Sequence, residues 1–450
     1  MMTVSFGEAI RWSGAVSQKV DPSRLVSNVT IDSRETGPDS LFVALPGTKN
    51  HGHEFVRQVW HKGAVAMVEQ TFGETQGPLL ITKSPLEAMD EMMRHCIGER
   101  QIQIVGVTGS VGKTSLKELT AAVLRTTYGT GQSRGNYNTA IGLPLSFFSE
   151  SNGMTHFVAE MGMRQTGEIY HLTQMAPPAV AVITNIGPSH LEQLGSMEKI
   201  QQAKGEILQG LVSGGTAVLN YDDPRVRELG EQTPHHVMWY GTHASVDLRV
   251  LTARVEGTRT LIDLLHRDSR WHVNLPWIGA HHGHNVAAAL LVGMAQGVPL
   301  SRGIEGIENV GQDRSRIKTL HLGTVTLLED VYNASPVSMK AGLDVLSSFA
   351  GRKIAVLGDM LELGPAEVSG HFEVGVYAQG RADMVLAVGP RSRAVAEGAG
   401  NAAHHVDTLE EALGFLQQKL SPGDVVLMKA SRGMHFEDLI AKLRDWGGAQ

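Results

Sequence analysis

Cysteine is nearly absent from this sequence, which has one, Cys96, among 450 residues. A single cysteine excludes an internal disulfide framework and a metal centre built from several thiolates. Long apolar runs are also missing, since none approaches the roughly 20 residues needed to span a bilayer. The first residues lack the charged-then-apolar form of a signal peptide. We therefore expect a cytoplasmic protein with no integral membrane association.

A strong excess of one charge is missing as well. The chain has 39 Lys and Arg against 46 Asp and Glu, which gives a formal net charge of −7. Because there is no long basic run either, nucleic acid is not expected as a partner. Apolar residues make up 42% of the chain, and its length is typical of about three domains. These values indicate a globular, multidomain protein, which we expect to be a monomer.

The most informative stretch that is present is VTGSVGKTSLKE, residues 107–118. It contains the Gly-Lys-Thr of a phosphate-binding loop, but the full G-x-x-x-x-G-K-[ST] pattern needs a glycine where this chain has Val107. The preceding IQIVGV (102–107) is apolar and β-branched enough for a buried strand. From about Lys113 onward, apolar residues recur at helical spacing. The sequence predicts a strand, a short loop and a helix.

A loop between such a strand and helix presents backbone N–H groups and a helix dipole to anionic oxygens. Gly109 and Gly112 allow close approach, Lys113 supplies a charge for the outer phosphates, and Thr114 can ligate Mg²⁺. An ordinary strand-to-helix turn is the alternative, but Gly-Lys-Thr after a strand rarely arises without phosphate. We therefore predict nucleotide binding.

The rhythm of strands and helices predicts an α/β protein of three domains. Residues 1–96 would form a small α/β N-terminal substrate domain. Residues 97–311 would form a central ATPase domain with a mostly parallel sheet, in which HFVAEM (156–161) and PAVAVITNIG (178–187) are strands. Residues 312–450 would form a C-terminal Rossmann-like α/β domain.

Two side chains follow predicted strands of the central domain, at the carboxyl ends of the strands, where parallel sheets usually have their active sites. Glu160 ends HFVAE, where it is either a magnesium ligand or a solvated carboxylate. His190 follows the next strand within TNIGPSHLEQLG. A lone histidine is usually a surface residue or a core residue with satisfied hydrogen bonds, so His190 alone favours that interpretation.

Lys204 lies on the apolar face of a predicted helix, because Ile200, Ile207, Leu208 and Leu211 recur around it at helical spacing. Such a lysine must extend its amine to solvent, find a partner or lose its charge. Burial lowers a lysine pKa, and a neutral amine can react with CO₂ to give a carbamate that suits Mg²⁺. Extension to solvent is the commoner outcome in proteins.

Seven segments together, in this order, resemble the Mur ligase family, and the resemblance covers nearly the whole chain. They are TGSVGKT (108–114), NYNTAIGLPLS (136–146), EMGMRQTGEI (160–169), TNIGPSHLEQLGSMEKIQQAKGEIL (184–208), GAHHGHNVAAAL (279–290), EDVYNASPVSM (329–339) and VLGDMLELG (356–364). The family's loop is the shortened T-G-x-x-G-K-[ST] form. The resemblance therefore explains Val107, which ends the strand.

The resemblance implies ATP and two Mg²⁺ ions as cofactors, and it implies roles for individual residues. Lys113 would be catalytic, Thr114 and Glu160 would hold one Mg²⁺, and His190 with a carbamylated Lys204 would serve the second. The nucleotide-binding loop residues would be Gly109, Ser110, Val111, Gly112, Lys113, Thr114 and Ser115.

The resemblance also assigns residues outside the loop. Asn285 would contact adenine, Arg314 would cross from the C-terminal domain to the γ-phosphate, and Asp330 would bind the ribose or phosphates. The substrate-binding residues would be Ser33, Arg34, Asn138, Thr139, Asn333, Lys429, Ser431 and Arg432.

Small differences among Mur ligases indicate which substrates to expect. The branch that adds the third residue carries Asp-Asn-Pro-Arg, which this sequence lacks, and Tyr332-Asn333-Ala334 is typical of the branch that adds a dipeptide. The resemblance thus implies UDP-N-acetylmuramoyl-tripeptide and D-alanyl-D-alanine as substrates, joined through an acyl phosphate in peptidoglycan synthesis. A ligase for a single amino acid, and an ATPase switch coupled to a protein partner, are the alternatives.

Some positions depart from the family pattern. Val111 replaces a polar loop residue, His51 replaces the first residue of an Asp-Gly-His segment, and His282 replaces a common asparagine. These changes affect expected local contacts rather than the reaction. The sequence does not indicate which residue acts as the general base for the amine. It also leaves open whether the third residue of the accepted peptide is diaminopimelate or lysine.

Overall fold

The structure is a computed structural model that describes residues 2–47, 50–74, 76–150 and 152–447. Within these residues the strands form three sheets that follow one another along the chain. Most neighbouring strands are parallel, and helices alternate with them, so the predicted α/β class is confirmed. The predicted boundaries after residues 96 and 311 stay predictions. Positions 1 and 450, where the predicted domains begin and end, lie outside the described residues.

The N-terminal sheet has the strand order β1-β5-β4-β3-β2, with β1 antiparallel to β5 and the other pairs parallel. Its strands are β1 (Val16–Gln18), β2 (Asn28–Thr30), β3 (Ser40–Val43), β4 (Val65–Glu69) and β5 (Leu79–Thr82). The helices of this region are α1 (Phe6–Ser13), α2 (Val56–His61) and α3 (Pro85–Arg100). Helix α3 begins where sequence rules predict, because Ser84 caps it and Pro85 fits its first turn.

The central sheet has the order β14-β13-β12-β11-β10-β9-β6-β8-β7. Its strands are β6 (Gln103–Thr108), β7 (Thr130–Gln132), β8 (His156–Glu160), β9 (Pro178–Ile183), β10 (Thr216–Asn220), β11 (His236–Gly241), β12 (Leu248–Glu256), β13 (Arg259–His266) and β14 (Ser269–Leu275). Pairs from β7 to β12 are parallel, whereas β12, β13 and β14 form an antiparallel extension. Strand β6 lies inside the parallel part, between β8 and β9.

Helices of the central region cover this sheet. They are α4 (Lys113–Arg125), α5 (Gly142–Phe148), α6 (Glu168–Met175), α7 (Leu191–Leu194), α8 (Met197–Gln209), α9 (Pro224–Gln232), α10 (His282–Ala295) and α11 (Leu300–Glu308). Helices α4 and α10 pack on one side of the sheet around Val105, Leu116 and Val286. The loop between β6 and α4 therefore lies at the carboxyl edge of the sheet.

The C-terminal sheet has the order β15-β16-β20-β17-β18-β19, with β15 antiparallel and the other pairs parallel. Its strands are β15 (Lys318–Leu322), β16 (Val325–Asp330), β17 (Lys353–Gly358), β18 (Met384–Val388), β19 (Ala403–Val406) and β20 (Val425–Lys429). The helices here are α12 (Pro336–Ser347), α13 (Glu367–Ala378), α14 (Arg393–Ala399), α15 (Leu409–Lys419) and α16 (Phe436–Gly447). Apolar clusters pack on both faces of this sheet, as a doubly wound sheet requires.

The N-terminal and central regions share one apolar core. Met92 of α3 belongs to the same buried cluster as Phe147 of α5 and Phe157 of β8. Phe147 is fully buried, and its ring meets the Phe157 ring edge to face at 5.2 Å. Because one core serves both regions, we expect them to lose structure together.

Among the described helices, none combines the length and the apolar character that crossing a bilayer requires.

Truncating the shared core tests this arrangement. Phe147→Ala should lower the free energy of unfolding by about 3–5 kcal/mol, because it removes a buried ring and leaves a cavity. Phe372→Ala is the matched control, since Phe372 is 47% exposed. Urea unfolding followed by fluorescence and circular dichroism measures both variants. Equal stabilities for the two variants would contradict the shared core.

Candidate active site

The loop between β6 and α4 has a backbone shape that demands glycine at two positions. Gly109 has φ +145°, and a Cβ there would lie 1.8 Å from Thr184 Oγ1. Gly112 has φ +90° and immediately precedes α4, and a Cβ there would lie 3.1 Å from Asn285 Oδ1. Side chains at these positions would be strained or would clash, so the two glycines allow the close packing around the loop.

The end of β9 holds this loop in place. Thr184 Oγ1 donates to the Val111 carbonyl at 2.6 Å, and Asn185 Nδ2 donates to the same oxygen at 2.9 Å. The Val111 N–H in turn donates to Asn185 Oδ1 at 3.0 Å. Ser110 Oγ donates to the Gly187 carbonyl at 2.9 Å. The side chains of Thr184 and Asn185 thus bond to the backbone of Val111, and these contacts need no polar side chain at position 111.

Lys113 curls back over the loop. Its Nζ donates to the carbonyls of Gly109 at 2.6 Å and Ser110 at 3.3 Å. Burial lowers the pKa of this ammonium, Glu160 acts in the opposite direction, and the Arg316 guanidinium lowers it further. An anionic oxygen at the loop would therefore find a cation that is incompletely balanced by the protein.

Glu160 is a buried carboxylate rather than a solvated one, since it is 3% exposed at the end of β8. Thr114 Oγ1 donates to its Oε2 at 2.8 Å, and Asn138 Nδ2 donates to its Oε1 at 2.9 Å. The predicted metal ligands Thr114 and Glu160 therefore lie in contact. Hydroxyl and carboxylate oxygens are the donors that Mg²⁺ prefers. Ser115, the last predicted loop residue, is buried in the first turn of α4.

Lys117 is a residue of this site that our sequence reasoning missed. It is fully buried, and its Nζ donates to the Gly135 carbonyl at 3.1 Å. The same nitrogen lies 3.9 Å from Glu160 Oε2. The available signal was its position four residues after Lys113, which puts both lysines on one face of α4.

His190 lies on the turn into α7 with a left-handed φ of 59°. Its Nδ1 is 2.9 Å from Glu362 Oε2. Burial lowers the pKa of this imidazole, Glu362 opposes the shift, and the cations of Lys113 and Lys204 add to it. The structure thus groups the predicted residues His190, Lys113 and Lys204. It adds Glu362, which belongs to the segment after β17.

Lys204 does not extend to solvent, because its residue is 2% exposed within α8. Burial holds its pKa well below the usual value, and the neighbouring Lys113 charge lowers it further. Within the part of the chain that the structure describes, its side-chain nitrogen has no hydrogen-bond or ion-pair partner. Extension of the amine to solvent, one of the alternatives left open by the sequence, is therefore not what the structure shows.

No cluster of three or more His, Cys, Asp or Glu side chains among the described residues could hold a metal by itself. Mg²⁺ in phosphoryl-transfer sites usually takes one or two protein ligands together with phosphate oxygens and water. The Thr114–Glu160 pair fits that kind of site. The donor set therefore suits a metal that arrives with a nucleotide.

Arg314 contacts the side of α4, and its predicted contact with the γ-phosphate stays a prediction. Its Nη1 donates to Glu118 Oε2 at 3.0 Å, one helical turn beyond Thr114. Arg316 instead donates to Thr114 Oγ1, and its guanidinium stacks over the Tyr332 ring at 3.7 Å. Both arginines of the segment QDRSRI therefore contact α4, Arg314 at Glu118 and Arg316 at Thr114.

Asp330 and Lys429 form a buried pair at the ends of β16 and β20. Lys429 Nζ lies 2.6 Å from Asp330 Oδ2 and donates to the Asn333 carbonyl at 3.0 Å. Three predicted residues are thereby brought together. Ser431 follows Lys429 by two residues and is buried, and its Oγ accepts a hydrogen bond from the Leu361 N–H at 2.9 Å.

Two further predicted residues flank the loop and the C-terminal sheet. Asn285 is buried at the start of α10, beside Gly112 and 3.4 Å from His282 Nδ1. Arg432 is exposed, and its guanidinium lies 5.8 Å from the Tyr332 ring centre. Arg432 and Arg316 therefore approach the same tyrosine.

The predicted N-terminal substrate residues are not in contact with the loop. Ser33 uses its carbonyl to accept from Lys62 Nζ at 2.7 Å, and the Arg34 guanidinium pairs with Asp32. Thr139 belongs to the central region, where it follows Asn138 in the chain. Its Oγ1 accepts a hydrogen bond from the Gly142 N–H at 3.3 Å, at the start of α5.

Comparisons with known proteins agree with this architecture. Residues 25–105 match the description "Mur ligase family, catalytic domain", residues 107–293 match "Mur ligase middle domain", and residues 314–432 match "Mur ligase, glutamate ligase domain". The UDP-N-acetylmuramoyl-tripeptide–D-alanyl-D-alanine ligase of Bacillus subtilis (strain 168) is 34% identical over 435 residues, which cover 93% of each chain. The enzyme of that name from Escherichia coli (strain K12) is 31% identical over 428 residues, covering 93% of this chain and 94% of that protein.

Solved structures show the same similarity. A crystal structure of MurF from Acinetobacter baumannii superposes with a TM-score of 0.91 at 26% identity, covering 99% of both chains. The MurF ligase from Thermotoga maritima in complex with ADP gives a TM-score of 0.84 at 27% identity, covering 94% of this chain and 98% of that one. The resemblance predicted from seven sequence segments is confirmed, and the chain belongs to the Mur ligase family.

Proposed function

We propose that this Mur ligase uses ATP to join D-alanyl-D-alanine to the tripeptide carboxylate of UDP-N-acetylmuramoyl-tripeptide. The observation that carries the proposal is the 34% identity, over 93% of the chain, to a relative named for that reaction. ATP transfers its γ-phosphoryl group to the carboxylate, which gives ADP and an acyl phosphate. The amine of D-alanyl-D-alanine then attacks the carbonyl, releasing phosphate and a proton and leaving an amide.

The phosphate loop supports the first step. Lys113 can exchange its bonds to the Gly109 and Ser110 carbonyls for bonds to phosphate oxygens, and the loop N–H groups can bind the same oxygens. Arg316 is the better-placed arginine for the transferred group, because it already contacts Thr114. Fixed positive groups around a transferring phosphoryl group lower its barrier.

Two Mg²⁺ sites are part of the proposal. Thr114 and Glu160 would hold one ion, and His190 with a carbamylated Lys204 would serve the other. Bound Mg²⁺ would neutralise phosphate oxygens that otherwise repel the incoming carboxylate. The buried, unpaired nitrogen of Lys204 supports the carbamate, since a neutral amine can attack CO₂ and lose a proton to become an anionic oxygen ligand.

Nucleotide and peptide contacts complete the proposal. Asn285 would contact adenine and Asp330 the ribose or phosphates. Ser33 and Arg34 would bind the uridine nucleotide. Asn138, Thr139, Asn333, Lys429, Ser431 and Arg432 would bind the peptide substrates.

We also propose the domain division at residues 96/97 and 311/312, which separates the three sheets. The enzyme would act as a monomer in the cytoplasm, where ATP and a UDP-linked substrate are both available.

An ADP-release assay tests the function. Sustained ADP release should require both the UDP-linked tripeptide and D-alanyl-D-alanine, because each acyl phosphate must meet the acceptor amine before the next turnover. Single amino acids in place of the dipeptide test the third-residue ligase, and ATP alone tests an ATPase switch. Rapid ADP release with ATP alone would overturn the proposal.

Lys113→Ala should lower turnover by at least ~10²-fold, since it removes a preorganised charge from the transferring phosphoryl group. Lys419→Ala, an exposed lysine of α15, is the control and should retain wild-type turnover. Steady-state ADP release measures both. A Lys113→Ala enzyme with nearly normal turnover would remove this lysine from the mechanism.

Arg316→Ala should also lower turnover by about 10²-fold, with a smaller effect on ATP affinity, because the guanidinium acts on charge that develops during transfer. Arg259→Ala, at an exposed position at the start of β13, is the control. Turnover and the dissociation constant for ATP are measured separately. Equal losses in both would indicate a role in binding ATP instead.

Lys204→Ala should lower turnover by roughly 10²-fold if the lysine carries a carbamate, because a metal ligand is lost. Formate, titrated at fixed ionic strength, should restore part of the rate by supplying the missing oxygen. Lys199→Ala, on the exposed face of the same helix, should stay active and indifferent to formate. An active Lys204→Ala enzyme that formate does not affect would exclude the carbamate.

A further inference from the structure

We propose that Arg314 is a positioning residue, and that its ion pair with Glu118 fixes the chain segment that delivers Arg316 to the phosphate loop. This inference rests on the proposed function for its kinetic consequence. The two arginines contact two residues of α4: Arg314 Nη1 lies 3.0 Å from Glu118 Oε2, and Arg316 donates to Thr114 Oγ1. We call this pair of contacts the Arg314–Arg316 clamp.

The spacing of the clamp matches on both sides. Thr114 and Glu118 are four residues apart on a helix, so their side chains are neighbours about 6 Å apart on one face. Arg314 and Arg316 flank Ser315, whose φ of −66° and ψ of 146° are those of extended backbone. Backbone with these dihedral angles rises about 3.1 Å per residue, so the two arginines start roughly 6 Å apart. Both arginines can therefore engage α4 at once.

Glu118 is a firm anchor for this segment. Its side chain is only 11% exposed, and its Oε2 also accepts from Gln132 Nε2 at 2.7 Å. Its Oε1 lies 3.6 Å from Nζ of the fully buried Lys117. Because these contacts hold the carboxylate within the central sheet's own packing, Arg314 binds a group that is already fixed.

The segment is also fixed before and after the clamp. Trp277 Nε1 donates to the Gly311 carbonyl at 2.9 Å, which holds the chain just before Arg314. The Arg316 guanidinium stacks on Tyr332 at 3.7 Å, which links the end of the segment to the C-terminal sheet. Between the Trp277 and Tyr332 contacts, Arg314 thus adds an ion pair that joins the segment to α4.

The clamp borders a groove of about 430 Å³ between α4 and α11, whose lining includes Arg125, Arg302 and Glu305. Arg314 is 48% exposed there, so water weakens its pair with Glu118. A half-exposed ion pair supplies only a modest free energy. The contact should therefore adjust the position of Arg316 rather than hold the fold together.

A double-mutant cycle tests the clamp in the full-length enzyme. Arg314→Ala and Glu118→Gln should each lower kcat roughly fivefold while the KM for ATP stays unchanged, the size of effect that a half-exposed pair allows. The double variant should be no worse than either single variant, and Arg314→Lys should retain part of the rate. Arg302→Ala, which breaks the Arg302–Glu305 pair within α11 on one wall of the same groove, is the control and should leave kcat unchanged.

Hydrogen exchange provides a readout that does not depend on the substrates. Peptides covering residues 309–322 should exchange faster in Arg314→Ala and Glu118→Gln than in the wild type or in Arg302→Ala. Wild-type exchange together with wild-type kcat in Arg314→Ala would overturn the clamp. A double variant whose loss in kcat is the product of the two single losses would also overturn it. If the wild type fails to join the tripeptide to the dipeptide, the proposed function fails, and the exchange comparison still decides whether the clamp exists.

Discussion

The site depends on one electrostatic constraint, a group of cations that outnumbers the two carboxylates beside it, Glu160 and Glu118. Lys113 and Lys117 both lie on α4, Arg316 reaches the same helix, and Glu160 is the acid they share. Taking a charge out of water costs roughly several kcal/mol unless a partner compensates it. The protein offsets this cost with carbonyls of the loop and of Gly135, which are weaker partners than anions. A polyanion is therefore the ligand that this region is charged to bind.

The same excess charge acts on groups that are not on the loop. Lys204 lies close enough to Lys113 for that cation to lower its pKa, in addition to the larger effect of burial. Both lysines also lower the pKa of His190, and Glu362 acts in the opposite direction. A neutral amine and a neutral imidazole are the forms that can react with CO₂ or bind a metal. The charge that attracts phosphate thus also disfavours the protonated forms of these two nitrogens.

How much of this site a sequence predicts depends on how local its determinants are. The phosphate loop was predicted because Gly109, Gly112 and Lys113 act within one turn of chain, and the alternation of strands and helices predicted three α/β regions. We did not predict the antiparallel extension from β12 to β14, whose strands pair with each other beyond the parallel core. Lys117 and Glu362 were missed because their roles come from tertiary contacts. The contact of Arg316 with Thr114 likewise depends on how the chain after α11 lies against α4.

The segment with these arginines also explains how a ligase can restrain hydrolysis. An acyl phosphate reacts with water, so the groups that form it should come together only when the site is closed. Lys113 belongs to the central sheet's loop, whereas Arg316 is held by Tyr332 of the C-terminal region. His190 and Glu362 meet across the same two regions. Because these charges are divided between two regions, the full set of positive groups around the loop is present only while the two regions are in contact.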